Sequence, residues 1–338
     1  MSVNPRSRVE KGLAADLCTK ATEMSYAKSS QAACSGRVSR QTDKHLLHQV
    51  QEKPIKIQRP RLGVKEIHLQ CDEDHVFLQK TKTGRTITKL VTIHEEVKQV
   101  GNSQRYYLPN KYHLVGRSDE SNAEFWQRVD TKITELYGQR DKSNPLKVYV
   151  HGDGAFWIKA GTDYVPNSYF ILDKYHFMKE LSKVAGYEPT YSNLLHDAIY
   201  SFDRKKIQDI LEIFVNSEIC AAEEADRFYR YYANNEQGIH IWQSLGPRKS
   251  SSCAEGLVSH TLSARLSSRP CAWSYRGLDA ISRLRVHLLN GGNIQAADFD
   301  LLVKGKTPLV KQEEIRKTMK QGNKKESHFT STRKIHIL

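Results

Sequence analysis

Two short apolar runs that each stop on an aspartate constrain this chain's fold most strongly. Leu146-Lys147-Val148-Tyr149-Val150 alternates apolar and polar residues with β-branched valines, the pattern of a strand, and breaks at His151-Gly152-Asp153-Gly154. Glycines on both sides of Asp153 permit a sharp turn. The carboxylate is therefore expected at the C-terminal end of the strand, where α/β sheets gather reactive groups. Tyr169-Phe170-Ile171-Leu172 likewise ends on Asp173, and Lys174-Tyr175-His176 then opens an amphipathic helix. This predicts Asp173 near an N-cap with His176 one turn along. Both strand ends would deliver their side chains to one edge of a sheet.

At 338 residues the chain exceeds one average domain, and its formal charge is +14. So basic a balance favours a polyanionic partner, meaning nucleic acid or an anionic membrane. No apolar run approaches the roughly eighteen residues of a membrane span, and the N-terminus carries no signal-peptide apolar region, so no membrane partner is expected and the location predicted is cytoplasmic. The six cysteines, Cys18, Cys34, Cys71, Cys220, Cys253 and Cys271, are scattered without a C-x-x-C pair. That spacing argues against a disulfide framework or a zinc ribbon and for reduced, buried thiols.

The first fifty residues read as helical: one helix from Leu13, a second over Tyr26 to Cys34, and a third from Arg40 to Gln51 capped by Ser39. This is the layout of a helix-turn-helix, whose third helix would offer Arg40, Gln41, Lys44 and His45 to DNA; an ordinary helical hairpin has the same pattern. Residues 53–63, with Pro54 and Pro60 among basic side chains, read as an extended linker. Strand patterns follow over Val64 to Leu78, Thr86 to Val100 and Tyr106 to Val115. On the first, Asp72 and Asp74 share a face because side chains alternate with period two. Asn122 to Gln139 reads as an amphipathic helix with Phe125, Trp126, Val129, Ile133 and Leu136 as its core stripe. Three strands, a helix and two further strands make the order of a ribonuclease-H-like α/β fold.

Beyond His176 the pattern is helical through Asn234, followed by a Gly/Pro/Ser loop over Gly246 to Cys253. The loop leads into Ala254-Glu255-Gly256-Leu257-Val258-Ser259-His260, with Arg265 and Arg269 close behind. A lone Glu in the first turn of a helix commonly just complements the helix dipole. Asp72, Asp153 and Glu255 lie on separate elements, however, and a fold that gathers them would need a hard cation such as Mg²⁺ or Mn²⁺ between their oxygens. Two such ions suit phosphoryl transfer on DNA.

A resemblance gives these residues roles. Cys71-Asp72-Glu73-Asp74-His75-Val76, His151-Gly152-Asp153-Gly154 through Lys159, Leu172-Asp173-Lys174-Tyr175-His176, Ala254-Glu255-Gly256 through His260, and Arg265-Leu266-Ser267-Ser268-Arg269-Pro270 together resemble the bacterial insertion-sequence transposases of the ISLre type, over about residues 10 to 300. These are DDE-type enzymes similar to the Mutator-like group. The resemblance implies that Asp72, Asp153 and Glu255 are catalytic and hold Mg²⁺ or Mn²⁺, with Asp173 and His176 matching a C/D-x-x-H motif. It also implies double-stranded DNA as partner, at mobile-element ends and target, and a homo-oligomer assembled on DNA near the nucleoid. Arg40, Gln41, Lys44, Arg265 and Arg269 are the DNA-binding candidates.

The expected organisation is a helix-turn-helix domain over 1–52, the linker 53–63, a ribonuclease-H-like core over 64–176 and 248–303 interrupted by a helical insertion at 177–247, and a basic tail over 304–338. Against the family pattern, Asp43 stands where the third helix calls for an apolar residue and Leu257 where a histidine is more usual. By the same comparison the chain is expected to lack a segment at each end. The competing class is a transposase-derived, sequence-specific DNA-binding protein without chemistry, and a third reading is a nuclease that cuts but never joins.

Overall fold

The computed structural model describes residues 9–79, 84–103, 105–138, 140, 145–186 and 188–303; the basic tail expected over 304–338 lies outside them. Three helices come first, α1 (Lys11–Ala21), α2 (Tyr26–Cys34) and α3 (Arg40–Leu47). The side chains of Glu10, Ser25 and Ser39 cap them by accepting from the backbone N–H groups of Leu13, Lys28 and Thr42. α3 stops at Leu47, short of the predicted Gln51, and Val50 turns inward beyond it. Residues 53–63 form neither helix nor strand. Ile57 packs them against the sheet's apolar face, and Arg61 N–H donates to the Leu136 carbonyl at 2.8 Å.

Among the described residues seven strands follow: β1 (Glu66–Phe77), β2 (Arg85–His94), β3 (Lys98–Gln99), β4 (Tyr106–Tyr107), β5 (Tyr112–Val115), β6 (Lys147–Gly152) and β7 (Ser168–Leu172). Five of them make a mixed sheet in the order β5-β2-β1-β6-β7, and β3 pairs with β4 in a separate hairpin. β2 is antiparallel to both its neighbours, whereas β1, β6 and β7 run parallel. Two predicted strands each divide in two. The run from Thr86 leaves the sheet after His94 and becomes the β3–β4 hairpin, turning at Gly101. The run from Tyr106 breaks at Pro109 and Asn110, where proline offers no N–H to a ladder and Asn110 takes φ 54°.

Alternation along β1 decides what each sheet face carries. Ile67, Leu69 and Cys71 join Val148, Val150, Val91 and Ile93 in an apolar face covered by α4 (Asn122–Tyr137) through Phe125, Trp126, Val129 and Ile133. Trp126 is wholly buried and donates its indole N–H to the Trp157 carbonyl at 2.6 Å, so its burial contributes on the order of 2–3 kcal/mol without an orphaned donor. The opposite face is polar, with His68, Gln70, Asp72 and Asp74 in a row.

After β6 come the short helices α5 (Phe156–Lys159) and α6 (Gly161–Tyr164), and after β7 the helices α7 (Lys174–Ala185), α8 (Pro189–Tyr200), α9 (Arg204–Asn216) and α10 (Ala222–Ser250). α7 to α10 build a second apolar core around Phe177, Leu181, Phe214, Phe228, Tyr232 and Trp242, joined to the sheet by Tyr149, Ile171 and Leu172. The loop predicted from Gly246 is helical as far as Ser250, with Gly246 (φ 71°, ψ 169°) interrupting the helix. Next come α11 (Ala254–Val258), α12 (Ala264–Leu266) and α13 (Tyr275–Leu289), with a π-helical turn over Ser259–Ser263. They share a third core with α1 to α3: Leu17, Cys18 and Leu47 pack with Leu262, Leu266, Leu278, Ile281 and Leu284. All six cysteines are free; Cys18, Cys71 and Cys220 are buried and the other three partly so.

Candidate active site

Gln70 of β1 stands opposite His151 of β6 in the parallel register. Asp72 and Asp153, each two residues further on, therefore emerge on the same polar face one step later. Burial, reinforced by the negative charge of Asp153, pushes the Asp72 carboxyl up to about 6; the Glu73 N–H at 2.8 Å and the nearby His176 pull the other way without overcoming it. Asp153 is fixed at both ends, its Oδ1 accepting from Ala155 N–H at 2.9 Å and its carbonyl from the Tyr231 hydroxyl at 3.0 Å. Its glycine neighbours are required by contact as well as by turn geometry. A Cβ on Gly152 would fall 2.7 Å from Ile158, and one on Gly154, at φ 96°, would fall 2.8 Å from the Asn235 side-chain oxygen.

Asp173 extends the β6–β7 pairing by donating its N–H to the Gly152 carbonyl at 2.7 Å. As N-cap of α7 its Oδ1 accepts from Tyr175 N–H at 2.8 Å, and its Oδ2 lies 3.2 Å from His176 Nδ1. Burial opposes the Asp173 charge, but the hydrogen bond and charge of His176, with help from the Tyr175 amide, hold its carboxyl below the usual range. The Asp173 hydrogen bond in turn raises His176, and the charges of Asp173, Asp153 and Asp72 add to the effect. The predicted pair at the N-cap is thus formed, and it lies near enough to Asp153 and Asp72 for their charges to act on His176. α10 supports the arrangement: besides the Tyr231 bond, Trp242 Nε1 donates to the Leu172 carbonyl at 2.7 Å.

Glu255 is exposed in the first turn of α11. The segment that bears it is nevertheless laid along β1. Cys253 N–H donates to Gln70 Oε1 at 3.1 Å, and further along Ser263 and Ser267 donate to Asp74 Oδ1 at 2.9 and 2.7 Å. Asp72 sits between those two anchors, so α11 crosses the strand beside it. Among the described residues no three His, Cys, Asp or Glu side chains are grouped as metal ligands. Asp72 and Asp153 are two carboxylate oxygen donors that the strand register sets side by side, the donor type a hard cation takes.

Residues 1–301 match the profile described as Uncharacterised protein family (UPF0236). The chain belongs to the UPF0236 family. Two UPF0236 proteins of Caldanaerobacter subterraneus subsp. tengcongensis are 33% identical to it over 304 residues and 32% over 305. Each comparison covers 88% of this chain and 63% of the relative, so the chain spans less than two thirds of the length of these relatives.

In this UPF0236 chain the predicted DNA-binding residues divide by setting. Arg40 and Gln41 are exposed on α3, Lys44 is half-buried, and Arg269 is exposed after α12. Arg265 is instead drawn inward: its Nε donates to the Ala21 carbonyl at 2.8 Å and its guanidinium lies over the rings of Tyr26 and Trp273. It ties α1 and α2 to the last part of the UPF0236 chain. Asp43, out of place by the family pattern, is fully buried; the Ser29 hydroxyl donates to it, and burial pushes its carboxyl up to about 6. Leu257 packs at the edge of the third core. Sequence reasoning missed Gln70, His68 and His94, although period-two alternation from Asp72 already put the first two on its face.

Proposed function

We propose that this chain is the catalytic and DNA-recognising part of a DDE-type transposase, cleaving DNA at mobile-element ends and transferring the strand. The observation that carries the reading is the placement of Asp72, midway along β1, beside Asp153, just beyond the end of β6, close enough for one charge to disturb the other. The sheet supports it. An antiparallel run of three strands followed by two parallel ones suits a ribonuclease-H-like core, with α7 to α10 as its helical insertion and α1 to α3 as a helix-turn-helix domain.

In this reading Asp72 and Asp153, with Glu255 from α11, would hold Mg²⁺ or Mn²⁺ through their carboxylate oxygens. The bound ions would activate a water or a 3′-hydroxyl and stabilise the leaving oxygen. His176, whose pKa Asp173 raises, lies beside the same place and would donate from Nε2 to a phosphate oxygen. Arg40, Gln41, Lys44 and Arg269 contact duplex DNA, two copies or more assemble on the element's ends, and the protein works in the cytoplasm at the nucleoid. One observation favours a second reading, a DNA-binding relative without chemistry: Glu255 is exposed and stands outside any ligand group.

Incubating the protein with duplexes carrying the element's ends in Mg²⁺ separates the readings. A transposase nicks and joins; a nuclease nicks without joining; a regulator binds and leaves both strands intact.

A further inference from the structure

Gln70 is 2% exposed and unites three elements. Its Oε1 accepts from Cys253 N–H at 3.1 Å and from the Ser252 hydroxyl at 3.2 Å, both immediately before α11, while its Nε2 meets His94 Nε2 of β2 at 3.2 Å. His94 stacks on His68 at 5.3 Å between ring centroids, and His68 Nδ1 meets His151 Nε2 at 2.9 Å. A side-chain amide is suited to this place because one end accepts and the other donates, so both demands are met without a buried charge.

At the other end of the same segment Asp74 receives the hydroxyls of Ser263 and Ser267. Gln70, Asp72 and Asp74 alternate along one face of β1, so the two outer residues bracket the middle one. A π-helical turn, Ser259–Ser263, lies within the held segment and adjusts its register by one residue before Ser263 reaches Asp74.

We propose that Gln70 and Asp74 form a two-point clamp whose task is to register the Glu255-bearing helix against Asp72, making Gln70 a positioning residue for the cation site. This rests on the reading of Asp72, Asp153 and Glu255 as ligands. With the clamp intact, α11 is held against β1 before any cation arrives, which lowers the ordering cost of bringing Glu255 to the site. Without it, α11 keeps its sequence but loses its register.

The test compares wild type with Gln70→Met, which keeps the volume and removes both polar ends, and with Gln70→Glu, which keeps an oxygen acceptor for Cys253 and Ser252. Two readouts are taken on the full chain without DNA: Mn²⁺ binding by electron paramagnetic resonance and amide exchange over residues 254–258. Gln70→Met is expected to weaken Mn²⁺ binding by about tenfold or more and to speed exchange over α11, with Gln70→Glu recovering most of both. Wild-type Mn²⁺ affinity together with unchanged exchange in Gln70→Met would overturn the clamp. Should Gln70→Met fail to fold, Asp74→Ala releases the opposite anchor; faster exchange over 254–263 in Asp74→Ala supports the clamp and unchanged exchange overturns it. A wild-type chain that binds no Mn²⁺ contradicts the ligand reading itself, and the exchange measurement then judges the clamp alone.

Discussion

Asp72 on β1 and Asp153 beyond the end of β6 stand one step past the Gln70–His151 rung of a parallel strand pair, and the charge of Asp153 helps keep the buried Asp72 carboxyl at about 6. Two carboxylates so placed store repulsion that water does not fully screen. Everything proposed for the site follows from what relieves it.

The first prediction concerns stability without metal. A carboxyl whose folded pKa is raised from 3.8 to about 6 favours the fold when protonated, so its contribution is full below about pH 4 and is lost as pH rises through 6. Asp72→Asn removes that loss. In metal-free buffer at pH 8 the variant is expected to be more stable than wild type by about 1–2 kcal/mol, after allowance for solvent screening, with the gap closing near pH 4. Urea denaturation at the two pH values checks this; equal stability at pH 8 would show that the repulsion is already relieved.

Acid should act on the histidines in the opposite sense. Burial holds His68 and His113 down to about 4 and His94 to about 3, and holds His151 well below its ordinary value. These groups stabilise the fold above their unfolded value of about 6.5, and that stability is lost as pH falls through 4 and 3. Each contributes a slope of at most about 1.4 kcal/mol per pH unit in that window. His94→Gln should flatten the urea-derived stability curve between pH 6 and 4. A curve as steep as wild type would exclude His94 from the acid transition.

For the Asp173–His176 pair the readout is imidazole titration by NMR. Asp173→Asn keeps an oxygen for the α7 cap and removes the charge that raises His176, so His176 is expected to titrate at lower pH than in wild type. An unchanged titration would assign the raised value to Asp72 and Asp153 instead.

The basic residues separate by what they touch. Arg265→Ala should cost on the order of 2 kcal/mol of stability through its lost carbonyl bond and ring contacts. Replacing Arg40, Gln41 and Lys44 together should leave stability nearly unchanged and weaken binding to element ends more than to random DNA, because base contacts carry discrimination. Equal weakening on both DNAs would make α3 a generic basic surface.

Much of this architecture was legible in the sequence because local pattern and tertiary role agree. β6 and β7 end where Gly152 and Asp173 say they do, and α4 buries the stripe of Phe125, Trp126, Val129 and Ile133 that its spacing marks. Where pattern failed, a single residue usually decided: Pro109 and Asn110 cut one predicted strand, and the chain's departure after His94 cut another. Arg265 shows a deeper limit. Its charge marks it as a DNA ligand in the sequence, and only the arrival of Ala21, Tyr26 and Trp273 from distant positions turns it into an internal tie. Gln70 is a similar case, since its hydrogen bonds to Ser252 and Cys253 span more than 180 residues.

The central claim is that the Asp72–Asp153 pair performs metal-dependent DNA cleavage. The most direct measurement is nicking of element-end duplex in Mg²⁺ by wild type and by Asp153→Asn, with folding checked by circular dichroism and DNA binding by mobility shift. The amide is nearly isosteric and uncharged, so structure and binding should persist while cleavage is abolished. Cleavage by Asp153→Asn at the wild-type rate would contradict the account.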